Sequence, residues 1–96
     1  MPAAARKDDP MSGCDGVIQS AVAGTVLING IPAATIGSMS SDHSPYGLPH
    51  PPHVPNPIVV GSGTVQIEGK MAARAGDPFV CGHSVASGSP DVEIGG

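Results

Sequence analysis

The chain has 96 residues and a mass of 9.4 kDa, enough for one domain and too little for two, since independent domains rarely run below about 50 residues. Fourteen glycines and 11 prolines reach about a quarter of the chain, a level that reads as disorder unless a period organises it. A net charge of −4 with only four Lys and Arg leaves no basic footprint for a phosphate backbone and argues against nucleic-acid binding. No apolar run reaches membrane-spanning or signal-peptide length, so the expectation is synthesis in the cytosol, no stable membrane insertion, and export only by a route that needs no signal peptide.

A period does exist. In chain order, the Ala-Ala turn of AARKDDP (4–10) leads through a connector carrying Cys14 to the segment GTVLING (24–30). IPAATIG then opens a second, longer connector that contains His43, His50 and His53 and ends in GTVQIEG (63–69). MAARAGD opens a third, with Cys81 and His83, which ends in GSPDVEIGG (88–96). GTVLINGIPAATIG (24–37) and GTVQIEGKMAARAG (63–76) share eight identical positions at a constant offset of 39 residues. The chain therefore divides into modules 4–30, 33–69 and 72–96 within a single 1–96 domain, with no extension domain expected.

Each module runs from an Ala-Ala turn through a connector to a V-x-I strand. Valine and isoleucine outnumber the two leucines 17 to 2, and β-branched side chains suit a pleated surface rather than a helical bundle. Val26 and Ile28, Val65 and Ile67, and Val92 and Ile94 alternate with Leu27, Gln66 and Glu93, which gives each strand one apolar face. Asn29-Gly30 and Glu68-Gly69 mark tight turns. The fold expected is all-β: three similar strand pairs about one axis, a small pseudo-threefold body.

One Tyr, one Phe and no Trp leave little aromatic bulk, so a body this small calls for a staple. Cys14 and His43 each lie nine residues after the second Ala of their module, and Cys81 lies eight after its own. Counted back from the strand blocks at Val22, Gly61 and Gly88, Cys14 and His53 fall eight residues before and Cys81 seven. The longer middle connector thus contributes twice, and Cys14, His43, His53 and Cys81 form a set suited to one structural Zn2+ with no open coordination position. His83 and His50 fit the spacing less well and read as exposed loop residues, each a candidate substitute ligand. A Cys14–Cys81 disulfide is the competing reading, disfavoured in a reducing cytosol.

Arg6 with Asp9 and Arg74 with Asp77 share an i, i+3 spacing that the middle module replaces by Thr35 and Ser38. Joint replacement fits an exposed, turn-clamping ion pair worth under about 1 kcal/mol better than catalysis. No nucleophile elbow, HExxH or Walker loop is present, so an enzyme is not expected.

The segments IPAAT, MAARAGD and PAAARKDD, together with GSGTVQIEG and GSPDVEIGG, resemble the PAAR-repeat family across almost the whole chain. The resemblance implies a cone-shaped β fold with zinc near the point, sitting as the sharpened tip on the trimeric VgrG β-helical spike of the type VI secretion system. The related tips of contractile phage tails and tailocins are similar. It implies one monomeric chain per VgrG trimer, membrane puncturing, the attachment of effector proteins, and delivery with the spike after assembly in the cytoplasm. At Cys14 relatives more often show His, which keeps His83 as the alternative. The competing readings are the tip of a contractile phage tail or tailocin spike and a free-standing small zinc-binding module.

Overall fold

The computed structural model describes residues 2–42 and 55–95. Six short strands follow one another as β1 (Ile18–Ser20), β2 (Leu27–Ile28), β3 (Ile31–Pro32), β4 (Met39–Ser40), β5 (Gln66–Ile67) and β6 (Lys70–Met71). The described residues hold no helix, and none long and apolar enough to cross a membrane. Strands β2 and β3 form an antiparallel hairpin with Leu27 opposite Pro32 and Ile28 opposite Ile31. Strands β5 and β6 repeat it with Gln66 opposite Met71 and Ile67 opposite Lys70. Both turns occupy the left-handed region at their two central residues, Asn29 (φ 56°) with Gly30 (77°) and Glu68 (53°) with Gly69 (79°). That is the type I′ pattern whose twist matches the flanking strands.

The third strand pair is built differently. Ala3 bridges Glu93, Ala4 N donates to Val92 O at 2.9 Å and Ile94 N to Pro2 O at 2.9 Å. Residues 2–4 therefore take the role that β3 and β6 play in the other two pairs, and the third hairpin is assembled from opposite ends of the chain.

The Ala-Ala turns interlock on the axis. Ala5 N donates to Ala73 O, Ala34 N to Ala5 O and Ala73 N to Ala34 O, each at 3.0 Å, a closed ring of three hydrogen bonds. Ala33 N and Ala72 N meet Val26 O and Val65 O at 3.0 Å, just as Ala4 meets Val92. Ala23, Ser62 and Ser89 donate their N–H groups to Ala33, Ala72 and Ala4, each at 2.8 Å. The pseudo-threefold body expected from the repeat is present in the backbone itself.

This ring divides the core. Ala4, Ala33 and Ala72 belong to a cluster with Ile28, Ile67 and Ile94 on the hairpin side. Ala5, Ala34 and Ala73 belong to a second with Met11, Cys14, Ile18, Ile58, Phe79 and Val85 on the connector side. The V-x-I alternation holds at Ile28, Ile67 and Ile94, which are buried, against Leu27, Gln66 and Glu93, which are exposed. Val65 departs from it and is exposed. The body is elongated, 38 × 23 × 23 Å, with hairpin tips toward one end and connectors toward the other.

Strand β1 pairs with β4 through a register shift between Ile18 and Ser20, and the next residue, Ala21, sits at φ 54°. This bulge absorbs one residue that the other modules lack.

The Arg–Asp pairs clamp their turns, but they are not exposed. Arg6 Nη2 meets Asp9 Oδ1 at 2.9 Å and Arg74 Nη2 meets Asp77 Oδ1 at 3.0 Å, with every side chain at most 14% exposed. The other carboxylate oxygen accepts the backbone N–H of Arg6 at 2.7 Å and of Arg74 at 2.8 Å. In the middle module Ser38 Oγ accepts the N–H of Thr35 at 3.0 Å and donates to Ala21 O at 3.0 Å. A hydroxyl thus fills the acceptor role with no charge to neutralise, which is why Arg and Asp are lost together.

Two measurements test this packing. Valine in place of Ala73 adds bulk where the turns of three modules meet, and destabilisation of about 1–3 kcal/mol is expected; an unchanged melting temperature would show the axis to be loosely packed. Asp77→Ala removes the acceptor of the Arg74 amide and the ion partner of its guanidinium, which keeps only the longer bond from Nη2 to Gly61 O at 3.5 Å, and should cost about 2 kcal/mol. The double variant Arg74→Thr/Asp77→Ser copies the middle module and should return to within about 1 kcal/mol of the parent in denaturant titration.

Candidate functional site

The connector end holds the cysteines. In the first module Met11 N donates to Gly16 O at 2.9 Å, closing a loop over residues 12–15, and in the third Phe79 N donates to His83 O at 2.7 Å over residues 80–82. The two loops are bound to each other. Ser12 N donates to Ser84 O at 2.7 Å, Ser84 N to Ser12 Oγ at 3.2 Å, and the two hydroxyls lie 2.9 Å apart. The middle connector joins them as it returns, because Asn56 Oδ1 accepts the Cys81 N–H at 3.1 Å and Asn56 N donates to Ser40 Oγ at 3.1 Å. None of these serine or asparagine roles was readable from spacing, since each reports a neighbour distant in sequence.

Cys14 is buried within the connector-side cluster and Cys81, half-buried, packs against that same cluster. Both are reduced, and no disulfide joins them. Burial pushes the Cys14 thiol above its usual range; the backbone N–H of Gly16 opposes this, and Cys81 and Asp15 add to it. His83 is half-buried rather than exposed. Its Nδ1 lies 3.3 Å from where a Cβ on Gly13, the residue before Cys14, would stand, a tight approach at a position whose φ of 72° already favours glycine.

Of the four expected ligands the structure thus brings Cys14 and Cys81 to one cluster, with His83 at its edge. His43 and His53, like His50, lie outside the described residues. Among the described residues no three His, Cys, Asp or Glu side chains converge as a metal site. The donor chemistry nonetheless fits a soft or borderline cation. Two reduced thiols meet at one apolar cluster, where burial disfavours ionisation of Cys14, and a bound cation would supply the opposing charge.

The hairpin end is organised by side-chain hooks between modules. Glu68 Oε2 accepts the Thr25 N–H at 2.9 Å and the Thr25 hydroxyl as well. Asn29 Nδ2 donates to Asp91 Oδ1 at 2.7 Å, and Ser62 Oγ donates to Gly95 O at 2.6 Å. Asn29, Glu68 and Gly95 are equivalent positions, so each tip hooks the start of a neighbouring strand. These bonds hold the Glu68 and Asp91 carboxyls below the usual carboxylate range.

No curated protein sequence matches this chain. The family model described as the PAAR motif matches residues 48–96, which takes in the second strand block, the MAARAGD turn, the Cys81 connector and the third strand. With the motif over half of its length and the interlocked all-β body around it, the chain belongs to the PAAR-motif family.

Proposed function

We infer that this chain is a non-catalytic structural tip: it caps the trimeric VgrG β-helical spike of a type VI secretion system, with one Zn2+ held by Cys14, His43, His53 and Cys81. The observation that carries the reading is the ring of Ala5, Ala34 and Ala73. A single chain with a threefold backbone can present equivalent surfaces to three identical protomers at once, and symmetry of that kind constrains an interface strongly. Its hairpin end offers the outward residues Leu27, Gln66 and Glu93 at equivalent positions, with Leu27 59% exposed. Its connector end supplies the point.

When bound, Zn2+ would supply a fixed tetrahedral junction between connector loops of unequal length. The chain's own residues prepare that junction: the Ser12–Ser84 pair brings two loops into contact, and Asn56 fixes the backbone of Cys81. In this reading the protein assembles in the cytoplasm, travels with the spike into the target cell, and serves as an attachment point for effectors.

The metal reading predicts about one zinc per chain after dialysis, with a chelator lowering the melting temperature sharply, because metal affinity of this kind is also folding free energy. Cys14→Ser and Cys81→Ser should each lower the zinc content to less than about half an equivalent, while His50→Ala and His83→Ala leave it near one. Release of zinc by His83→Ala with Cys14→Ser harmless would move the fourth ligand to His83. A metal-free protein of equal stability would sink the assignment.

The docking reading predicts one chain per VgrG trimer by native mass spectrometry of the purified complex. Leu27→Asp should weaken that complex at least about tenfold by placing a charge in the buried interface, without changing zinc content. A chain that stays monomeric beside the blunt end of a VgrG trimer contradicts the tip assignment.

A further inference from the structure

Two of the three strand pairs close through a two-residue turn, and the third does not. In the sequence Ile94-Gly95-Gly96 stands in register with Ile28-Asn29-Gly30 and Ile67-Glu68-Gly69, while Pro2-Ala3 stands in register with Ile31-Pro32 and Lys70-Met71. The hydrogen bonds follow the same register: Ala4 N to Val92 O matches Ala33 N to Val26 O and Ala72 N to Val65 O. Residues 2–4 and 92–94 thus form the same structural unit as β2–β3 and β5–β6. Their strands, however, are joined through the whole body instead of through a turn.

We propose that this pairing is a clasp: it opens and closes on its own while the two covalent hairpins stay folded. The argument rests on connectivity. To detach β3 or β6, the chain must also displace its hairpin partner and the connector that follows, whereas residues 2–4 can peel from residues 92–94 without moving either hairpin. Two strands joined by a two-residue turn are held close even when their bonds break, whereas strands joined only through a long stretch of chain lose that tether, so local opening concentrates at such a pair.

The clasp must also fit closely to shut. A Cβ on Gly88 would collide with the Ala4 carbonyl, so the segment lies directly on the third module's backbone. Its closure buries Ala4 and Ile94 and completes the hairpin-side cluster. Gly95 sits at the same end as the tips Asn29 and Glu68, held by Ser62. In the tip reading, which this proposal does not require, a spike seated on that end would hold the clasp shut.

Native-state amide exchange by NMR on the intact free chain reads this directly. Ala4, Ala33 and Ala72 are all fully buried alanines at equivalent positions, so burial and residue type do not separate them. The Ala4 and Ile94 amides should exchange at least about tenfold faster than those of Ala33 and Ala72, by an opening insensitive to low denaturant. Equal protection of the three alanines overturns the clasp.

A circular permutant that joins Gly96 to Pro2 and opens the chain between Asn29 and Gly30 supplies the control. Fast exchange should move to Ala33 and Ile28 while Ala4 becomes protected. Fast exchange that stays at Ala4 would trace to local sequence and overturn the proposal, and a permutant that fails to fold leaves the decision with the intact chain. A spike that does not bind would count against the tip reading and leave both exchange results standing.

Discussion

Three backbone hydrogen bonds of 3.0 Å, linking Ala5, Ala34 and Ala73 head to tail, are the constraint from which the rest of the architecture follows. A closed ring at that spacing admits only small side chains, which accounts for the paired alanines in every module. Because consecutive residues of an extended chain point opposite ways, the first alanine of each pair packs on the hairpin side and the second on the connector side. One short motif thereby builds two cores. Neither needs a large aromatic cluster, because backbone bonds carry much of the cohesion that side-chain bulk supplies elsewhere.

The ring fixes positions, not residue types. Asp9, Ser38 and Asp77 all accept the amide that opens their turn, two through a carboxylate paired with Arg and one through a hydroxyl. Ser62 and Ser89 each accept two backbone amides of the following strand, while Ala23 holds their place in the first module without a hydroxyl. Asp8, at φ 70°, occupies the left-handed position that Gly37 and Gly76 fill in the other modules. Sequence identity between modules has drifted wherever a second chemistry satisfies the same backbone group.

That drift explains what the sequence could reveal. Identical residues at a fixed offset, the Asn29-Gly30 and Glu68-Gly69 turns and the V-x-I alternation are local signals, and each maps onto a hairpin. The burial of the Arg–Asp pairs is not local: it depends on neighbours such as Asn29, which accepts from Arg6 Nη1 at 3.2 Å. The bulge at Ala21 and the position of His83 against Gly13 likewise arise from contacts between modules. The pairing of residues 2–4 with 92–94 was hidden for another reason. A hairpin cut open and shared between distant segments leaves no turn signature, although the repeat already counted three turns and three strands. For the site, spacing pointed to Cys14 and Cys81, which do meet in one cluster. The serines and Asn56 that hold their loops together carry no spacing signal of their own.

The two ends of the body consequently rest on different physics. At the hairpin end the three tips are tied by hooks that recur around the axis, Glu68 to Thr25, Asn29 to Asp91 and Gly95 to Ser62, so this end is ordered by the repeat alone. At the connector end the modules have diverged: the middle connector is longer, the Ser12–Ser84 pair joins only two of the three loops, and the half-buried thiol and imidazole groups replace a uniform apolar filling. Equivalent backbone bonds still join the feet of the connectors, Ala86 N to Pro10 O at 2.8 Å and Val59 N to Pro78 O at 3.0 Å, but the loops beyond them differ in length. The cation proposed above would join loops of this kind, because coordination constrains the donor atoms and not the paths of the segments that bring them.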